Sequence, residues 1–316
     1  MLVSHDTLYS FSSVSQIIPA DKKLLQETIQ RIRPDSKNYE DSWGYIIQAT
    51  RYNGFKWYDS QTGSLIFFGR KSDTDPTLVV PLFFAEPEYL RDVVDKVQGV
   101  LKAPQTTLKN VNPGDVEKFL PYGFRPYKEN EGWCAEARFD DQTYPQLIID
   151  LKKITEAKGR KYHKLRKALN KKPHVVCRKY RETDKDDVLE IFALKDGNTK
   201  DTPEKAKGMY FASHVMYPTA DVNKFVFTDG ITGEIIGFIA TSDISSRTTA
   251  FIASLFRPDA IKVRTWCTYQ IFVKKYHEGF ELATLGGCET GNTYHFKRRT
   301  LQPVEELEKT HLVYTS

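Results

Sequence analysis

The feature that most constrains the fold of this 316-residue chain is the order of the elements predicted after residue 220. Three apolar, β-rich stretches come first: Lys224–Thr228, Ile235–Ser242 and Thr249–Phe256. A helix is predicted over Lys262–His277, and a short buried strand, Leu282–Leu285, comes after it. Antiparallel strands followed by a helix and another strand are typical of an α/β fold.

The first half shows a fainter version of this succession. A helix over Lys22–Ile32 precedes two predicted strands, Ser64–Phe68 and Leu78–Phe84. Helical spacing then predicts a helix over Glu86–Leu101, and alternation predicts a strand over Trp133–Phe139. The chain is about twice the usual length of one domain, so two similar lobes are compatible with it.

The two halves are joined by a strongly basic stretch. Between Lys152 and Lys172 there are ten basic residues and one acid, Glu156. Apolar spacing predicts one helix over Leu151–Lys172, which Pro173 ends. We therefore predict a first lobe (1–150), a basic connecting helix (151–173) and a second lobe (174–316) that a last helix and strand complete.

Composition excludes several classes of protein. The hydrophobic fraction of 40% and the charged fraction of 28% are those of ordinary globular proteins. No apolar run approaches the roughly 20 residues that cross a bilayer, and the N-terminus lacks the pattern of a secretory signal. Four cysteines without C-x-x-C spacing and seven histidines without a metal-binding pattern predict no metal site. We expect a cytoplasmic protein.

On a helix, the basic stretch would present a cationic face. Arg160, Lys164, Lys167 and Lys171 are spaced by four, three and four residues, so they would share one side of the helix. Such a face is suited to an RNA backbone or an anionic membrane surface. The alternative interpretation is a solvated helix face without a partner.

A second candidate site comes after the last predicted strand of the second lobe. The run from Leu285 to Arg299 is a Gly-rich turn followed by a helix with a basic end. Loops after strand ends bind ligands in α/β sheets, and glycines let backbone N–H groups approach an anion. The alternatives are turn geometry for Gly286 and Gly287, and core packing for Phe296.

These two motifs resemble those of a known family. The segment Lys158–Asn170 resembles the G-K-K-x-x-K-x-R-x-x-x-N helix in the C-terminal domain of bacterial phosphatidylglycerol lysyltransferases. The run ending in Phe296-Lys297 resembles that family's ending and is similar to the Fem-type peptidyltransferases. This resemblance implies two acetyltransferase-like (GNAT-like) lobes with mixed, mostly antiparallel sheets. It also implies that aminoacyl-tRNA is the acyl donor, with no further cofactor.

The resemblance also assigns roles to residues. Phe296 and Lys297 would lie beside the reacting ester, where Lys297 would stabilise the oxyanion. Glu289 is a candidate base, or a partner for the donor's ammonium group. The predicted donor- and tRNA-binding residues are Lys158, Arg160, Lys161, Lys164, Arg166, Lys167, Gly286, Gly287, Phe296, Arg298 and Arg299.

Two other functions stay open at this point. The first is an acyltransferase that uses acetyl- or acyl-coenzyme A, whose pyrophosphate Arg257, Lys262 or Arg264 would hold. No glycine occurs in that segment, and this absence weakens the case for coenzyme A. The second is a non-catalytic protein that binds RNA or a membrane surface. The sequence does not identify the acceptor.

Overall fold

The computed structural model describes residues 11–50, 54–70, 77–127, 144–171, 173–197, 212–217, 220–286 and 291–315. The strands in these ranges are β1 (Val14–Gln16), β2 (Phe55–Asp59), β3 (Ser64–Arg70), β4 (Leu78–Phe84), β5 (Thr106–Val111), β6 (Arg125–Pro126), β7 (Gln146–Asp150), β8 (Val175–Lys179), β9 (Asn223–Asp229), β10 (Ile235–Asp243), β11 (Thr248–Phe256), β12 (Leu282–Thr284), β13 (Glu305–Leu307) and β14 (Thr310–Tyr314). The α-helices of six or more residues are α1 (Asp21–Ile32), α2 (Trp43–Ala49), α3 (Pro87–Leu101), α4 (Leu151–Glu156), α5 (His163–Leu169), α6 (Lys185–Gly197), α7 (Arg264–His277) and α8 (Gly291–Leu301).

The strands form two seven-stranded sheets of equivalent topology. The first has the order β1-β2-β3-β4-β5-β14-β6, and the second, taken from its other end, has the order β8-β9-β10-β11-β12-β7-β13. In each sheet only the fourth and fifth strands, β4 with β5 and β11 with β12, are parallel. Helices α3 and α7 connect these parallel pairs. The prediction of two α/β lobes with mostly antiparallel sheets is confirmed.

Each sheet contains a strand that comes from an unexpected part of the chain. Strand β14 lies between β5 and β6, so the prediction that the last strand completes the second lobe is wrong. Strand β7, at the end of the range predicted for the first lobe, pairs with β12 and β13 in the second sheet. Local apolar patterns predict that a strand forms, but they carry no information about its partner.

Strand β3 shows why the first sheet is apolar on both faces. Ile66 and Phe68 pack in the core beneath α3, whereas Leu65 and Phe67 pack in a second core. Because successive side chains point to opposite faces, a sheet covered on both sides reads as a continuous apolar run. The second core includes Ile252 of β11, so it is shared by the two lobes.

Helix α2 packs directly against the second lobe. The N–H of Gly44 donates to Ser242 Oγ over 3.0 Å. A Cβ at Gly44 would lie 2.7 Å from Ile252 Cγ1, closer than carbon atoms pack. The helix can therefore cross the second sheet only because residue 44 has no side chain.

Most predicted helices and strands agree with the structure to within two residues. Helix α3 begins at Pro87, which occupies the position where a missing N–H costs nothing, and Glu88 lies in its first turn. A 3-10 turn over Pro258–Val263 precedes α7, so the α-helix begins two residues later than predicted. The strand predicted over Trp133–Phe139 lies outside the described residues.

Candidate functional site

The basic stretch forms two short helices and not the single helix predicted. Asp150 Oδ1 accepts from the N–H of Lys153 and caps the start of α4. The chain leaves that helix at Ala157, which has a φ of 46°, and Gly159 has a φ of 84°. These left-handed residues break the helical path before α5, because L residues in a right-handed helix require negative φ.

Arg166 stabilises the turn between the two helices. Its Nη1 donates to the carbonyl oxygens of Ala157, over 2.6 Å, and Gly159, over 2.8 Å. Both carbonyls belong to the residues with positive φ. The guanidinium predicted to contact the donor therefore bonds to the protein's own backbone. It fixes the position of the 3-10 turn that begins at Arg160.

The buried side of α5 agrees with the predicted apolar stripe. Tyr162 and Leu165 are buried in the core of the second lobe, and Leu169 packs against the same core. The basic side chains point the other way: Arg160, Lys161, Lys164 and Lys167 are all exposed. Burial of the stripe thus holds the cations at the surface.

The two motifs singled out from the sequence meet at one pocket. A cavity of about 420 Å³ lies between the start of α5 and the end of α8. No carboxylate is among its lining residues, which are Arg160, Lys161, His163, Lys164, Arg299 and Gln302. Within the described part of the chain, none of the four lining Lys and Arg residues is in a salt bridge, and Lys161 Nζ lies 5.2 Å from the Tyr162 ring centre. Uncompensated positive charge around a concavity attracts anions.

The consecutive residues of α8 have different environments. Phe296 is 53% exposed, so the core-packing interpretation of this residue is wrong. Lys297 is half-buried and lies on the helix face of Tyr294 and Leu301, both of which are buried. Arg298 Nε pairs with Glu306 Oε1 over 2.8 Å, whereas Arg299 lines the pocket.

The turn after β12 is described only at its start. Gly286 is buried and has a φ of 64°, which agrees with the turn interpretation of this glycine. A Cβ there would lie 3.3 Å from the ring of Tyr39, a residue of the first lobe. Gly287 and Glu289 lie outside the described residues.

Two other predicted cations lie away from the pocket. Lys158 Nζ is 3.4 Å from Glu156 Oε2, an exposed pair that contributes little to stability. Lys167 is exposed and does not line the cavity. Conversely, neither Gln302 nor His163 is among the site residues predicted from the sequence. His163 shares the basic stretch, but no sequence signal marks Gln302, which has a φ of 53° at the end of α8.

The start of α7, where coenzyme A would be held, is electrostatically different. Arg257 Nη1 lies 3.2 Å from Glu234 Oε2, and its Nε lies 3.5 Å from Asp259 Oδ1. Its charge is therefore compensated by two carboxylates. Pro258 begins the following 3-10 turn and supplies no N–H to an anion. Within the described part of the chain, no helix is long and apolar enough to cross a membrane.

No protein-family model and no curated protein matches this sequence, whereas solved structures do match its fold. A conserved protein of unknown function from Bacteroides thetaiotaomicron VPI-5482 superposes with a TM-score of 0.71 and 14% identity, covering 96% of this chain and 99% of that one. L-PGS from Bacillus licheniformis gives 0.62 and 14%, covering 93% and 92%. A tandem GNAT protein from the clavulanic acid biosynthesis pathway gives 0.53 and 10%, covering 96% and 98%.

The chain has a tandem GNAT-like fold. The three similar structures match both lobes, because each alignment covers more than nine-tenths of either chain. L-PGS belongs to the family that the two sequence motifs resemble. At 10–14% identity these likenesses concern the fold.

Proposed function

We propose that this protein is an acyltransferase that moves an aminoacyl group from tRNA to an amine or hydroxyl of an acceptor. The observation that carries the proposal is that both basic motifs line one pocket free of carboxylates. The fold it shares with L-PGS supports the same donor class. The acceptor class is a lipid, a peptide or a small molecule.

The pocket is suited to the phosphates of the donor RNA. Arg160, Lys161, Lys164 and Arg299 bring four formal positive charges to its wall. Phosphates that they neutralise release counterions, which makes binding favourable and dependent on salt. Arg299 and Lys297 are two residues apart on α8, about 3 Å along the helix axis. The phosphate site and the proposed reaction site are therefore at the same level of α8 but on different sides of the helix.

The reaction needs positioning more than a reactive side chain. The acceptor nitrogen or oxygen attacks the ester carbonyl carbon, and the bond from that carbon to the tRNA ribose oxygen breaks. The acceptor's proton goes to the departing ribose hydroxyl, directly or through a base such as Glu289. The half-buried Lys297 ammonium would stabilise the tetrahedral oxyanion, because a charge partly removed from water acts strongly on a nearby anion.

The coenzyme A alternative is less well supported. Arg257, the first cation available to a pyrophosphate at the start of α7, is paired with Glu234 and Asp259. An incoming pyrophosphate would have to displace both carboxylates. The pocket between α5 and α8 requires no such rearrangement.

The proposal is tested by transfer of radiolabel from a pool of charged tRNAs, with a cell extract as the source of acceptors. A labelled product that disappears after nuclease treatment supports tRNA as the donor, and its chemistry identifies the acceptor. Coenzyme A binding measured by calorimetry, without transfer from tRNA, would replace this function by the alternative. Salt-sensitive RNA binding with no acyl product would favour the non-catalytic interpretation.

A further inference from the structure

Tyr39 of the first lobe lies across the end of strand β12 of the second lobe. It begins the 3-10 turn Tyr39–Asp41 that precedes α2. Its hydroxyl donates to the carbonyl oxygen of Ile252 on β11 over 3.2 Å, with Gln48 Oε1 as a second acceptor at 3.4 Å. Its backbone N–H donates to Gln146 Oε1 on β7 over 3.2 Å. Because β11 and β7 are the two neighbours of β12, one residue bridges both sides of a strand in the other lobe.

The register of the second sheet places these contacts at one level. The last pair of β11 with β12 is Ala250 with Thr284, so two further residues along these parallel strands bring Ile252 level with Gly286. Strand β7 is antiparallel to β12, and its first residue, Gln146, reaches the same level. The bridging tyrosine therefore lies at the point where β12 would otherwise continue between its neighbours.

The ring of Tyr39 also determines the path of the chain at this point. A Cβ on Gly286 would lie 3.3 Å from three atoms of the ring, so the backbone passes directly against it. Gly286 has a φ of 64°, a conformation that residues with a side chain rarely adopt. The residue before it, Leu285, still donates its N–H to the carbonyl of Leu147 on β7 over 3.1 Å. The chain thus turns at the residue that touches the ring.

The first lobe holds this tyrosine in place. The ring of Tyr39 packs edge-on against that of Tyr45, with centres 5.4 Å apart, and Tyr45 is buried. The carbonyl of Tyr39 accepts from Ser42 Oγ over 2.7 Å, and the same hydroxyl caps the start of α2. A side chain fixed by packing and hydrogen bonds can impose its position on its neighbours.

We infer that Tyr39 is a positioning residue for the proposed acyl transfer, because it sets the backbone at Gly286, where the segment leading to α8 and Lys297 starts. Helix α8 begins at Gly291, five residues after Gly286. Every residue that lines the cationic pocket is numbered 160 or above, so Tyr39 gives the first lobe a part in a site built by the second. The inference rests on the proposed function for its effect on turnover.

The kinetic test compares Tyr39→Ala, which removes the ring and the hydroxyl, with Tyr39→Phe, which keeps the ring. Single-turnover transfer from charged tRNA is measured at saturating donor, and KM for the donor is measured in parallel. We expect Tyr39→Ala to lower turnover by about 100-fold, the effect of misplacing a reacting group by about 1 Å, with KM changed by less than about twofold. Tyr39→Phe should stay within about tenfold of wild type, the effect of one lost hydrogen bond.

Hydrogen exchange gives a readout that needs no substrate. The N–H of Leu285 should exchange faster in Tyr39→Ala than in wild type, because the strand end that carries it loses its support, and it should exchange at the wild-type rate in Tyr39→Phe. Thermal melting shows whether the variants are folded. Tyr39→Leu, which fills more of the space without a ring, takes the place of Tyr39→Ala if that variant does not fold.

The matched control is Tyr89→Ala. Tyr89 is another half-buried tyrosine of the first lobe, where it packs against the core beneath α3 and donates its hydroxyl to Asp59 Oδ2 over 3.0 Å. Its replacement removes the same atoms from the same lobe. Turnover and the exchange of Leu285 should both equal those of wild type.

Three outcomes would overturn the inference. They are wild-type turnover in Tyr39→Ala, an equal loss of turnover in Tyr39→Ala and Tyr89→Ala, and unchanged exchange of Leu285 in Tyr39→Ala. When wild type transfers from charged tRNA, each of these rejects the inference and keeps the proposed function. A wild type that transfers nothing rejects both, so the two failures are distinguishable.

Discussion

The two lobes share one strand order but differ in the segment that comes after their parallel strands. After β5 the first lobe forms 3-10 turns over Pro113–Lys118, in which Lys118 Nζ lies 2.6 Å from Asp115 Oδ1. After β12 the second lobe forms α8, whose Arg299 lines a cationic pocket. In the first lobe the lysine of this segment is therefore paired with a carboxylate. In the second lobe Arg299 of the equivalent segment is in no salt bridge with the described residues. The difference in charge between the lobes therefore lies in that segment and not in the shared sheet.

The lobes also differ from independent domains, because each sheet includes a strand from outside its own part of the chain. Residues between β6 and α4 supply β7 to the second sheet, and the end of the chain supplies β14 to the first. Leu312 and Val313 of β14 are fully buried in the first lobe. The first sheet therefore includes a strand that comes after all strands of the second sheet in the sequence.

The largest effect should come from removing β14. Deletion of residues 310–316 leaves β5 and β6 without the strand between them, and it exposes the core around Leu312. We expect loss of protection from hydrogen exchange throughout the first sheet, with β9, β10 and β11 less affected. Mass spectrometry of exchange in each strand measures the difference.

Deletion of residues 315–316 is the matched control, since it leaves β14 intact. It should exchange like wild type. Greater loss of protection in β9–β11 than in β2–β4 after the longer deletion would contradict the pairing of β14 with β5 and β6.

These strands also show where prediction from sequence ends. The apolar, β-rich runs of β3, β4 and β9–β11 predict each element well, because burial of these strands leaves a local pattern in the sequence. Which sheet a strand joins depends on contacts that are about 130 to 160 residues away along the chain for β7 and about 190 to 210 for β14, and no local pattern carries that information. The break in the basic helix is partly visible, since Gly159 favours positive φ, but Ala157 at 46° gives no signal.

The second prediction compares lysines that lie after the parallel pair of each lobe. Lys297→Ala should lower turnover by about tenfold to a thousandfold, as loss of an oxyanion donor does. Lys118→Ala removes a lysine from the equivalent segment of the first lobe and should leave turnover unchanged. Single-turnover transfer from charged tRNA, under saturating donor, separates chemistry from binding. Equal rates for both variants would exclude Lys297 from the mechanism.

The part of the candidate site that the sequence predicts is the part with a high density of positive charge. Ten basic residues in one stretch identify the wall formed by Arg160, Lys161 and Lys164 without any knowledge of the fold. The roles of Arg166 and Arg298 were not predictable, because a cation that bonds to a backbone carbonyl or to Glu306 has the same sequence signature as a free one. Gln302 reaches the pocket only through the packing of α8 against α5.

Each lobe also buries one histidine. His214 lies in the second lobe, where burial, followed by the charge of Lys224, lowers its pKa to about 3. His311 on β14 lies in the first lobe, and burial lowers its pKa well below the usual value. Both are therefore neutral in the folded protein at pH values where an unfolded histidine is protonated.

The smallest effect is the acid sensitivity that these histidines produce. An unfolded histidine binds its proton near pH 6.5, so above that pH the buried neutral histidines do not reduce the free energy of unfolding. Below it, the free energy of unfolding falls by about 1.4 kcal/mol per pH unit for His214, until the pH reaches about 3. Both ring nitrogens of His214 are without hydrogen-bond partners in the described part of the chain, so His214→Leu should not lower stability at pH 7.5. Urea unfolding at pH 7.5, 6 and 5 should give this variant a shallower pH dependence than wild type, whereas substitution of the exposed His277 by Gln should not. Parallel curves for His214→Leu and wild type would show that His214 does not contribute to the acid sensitivity.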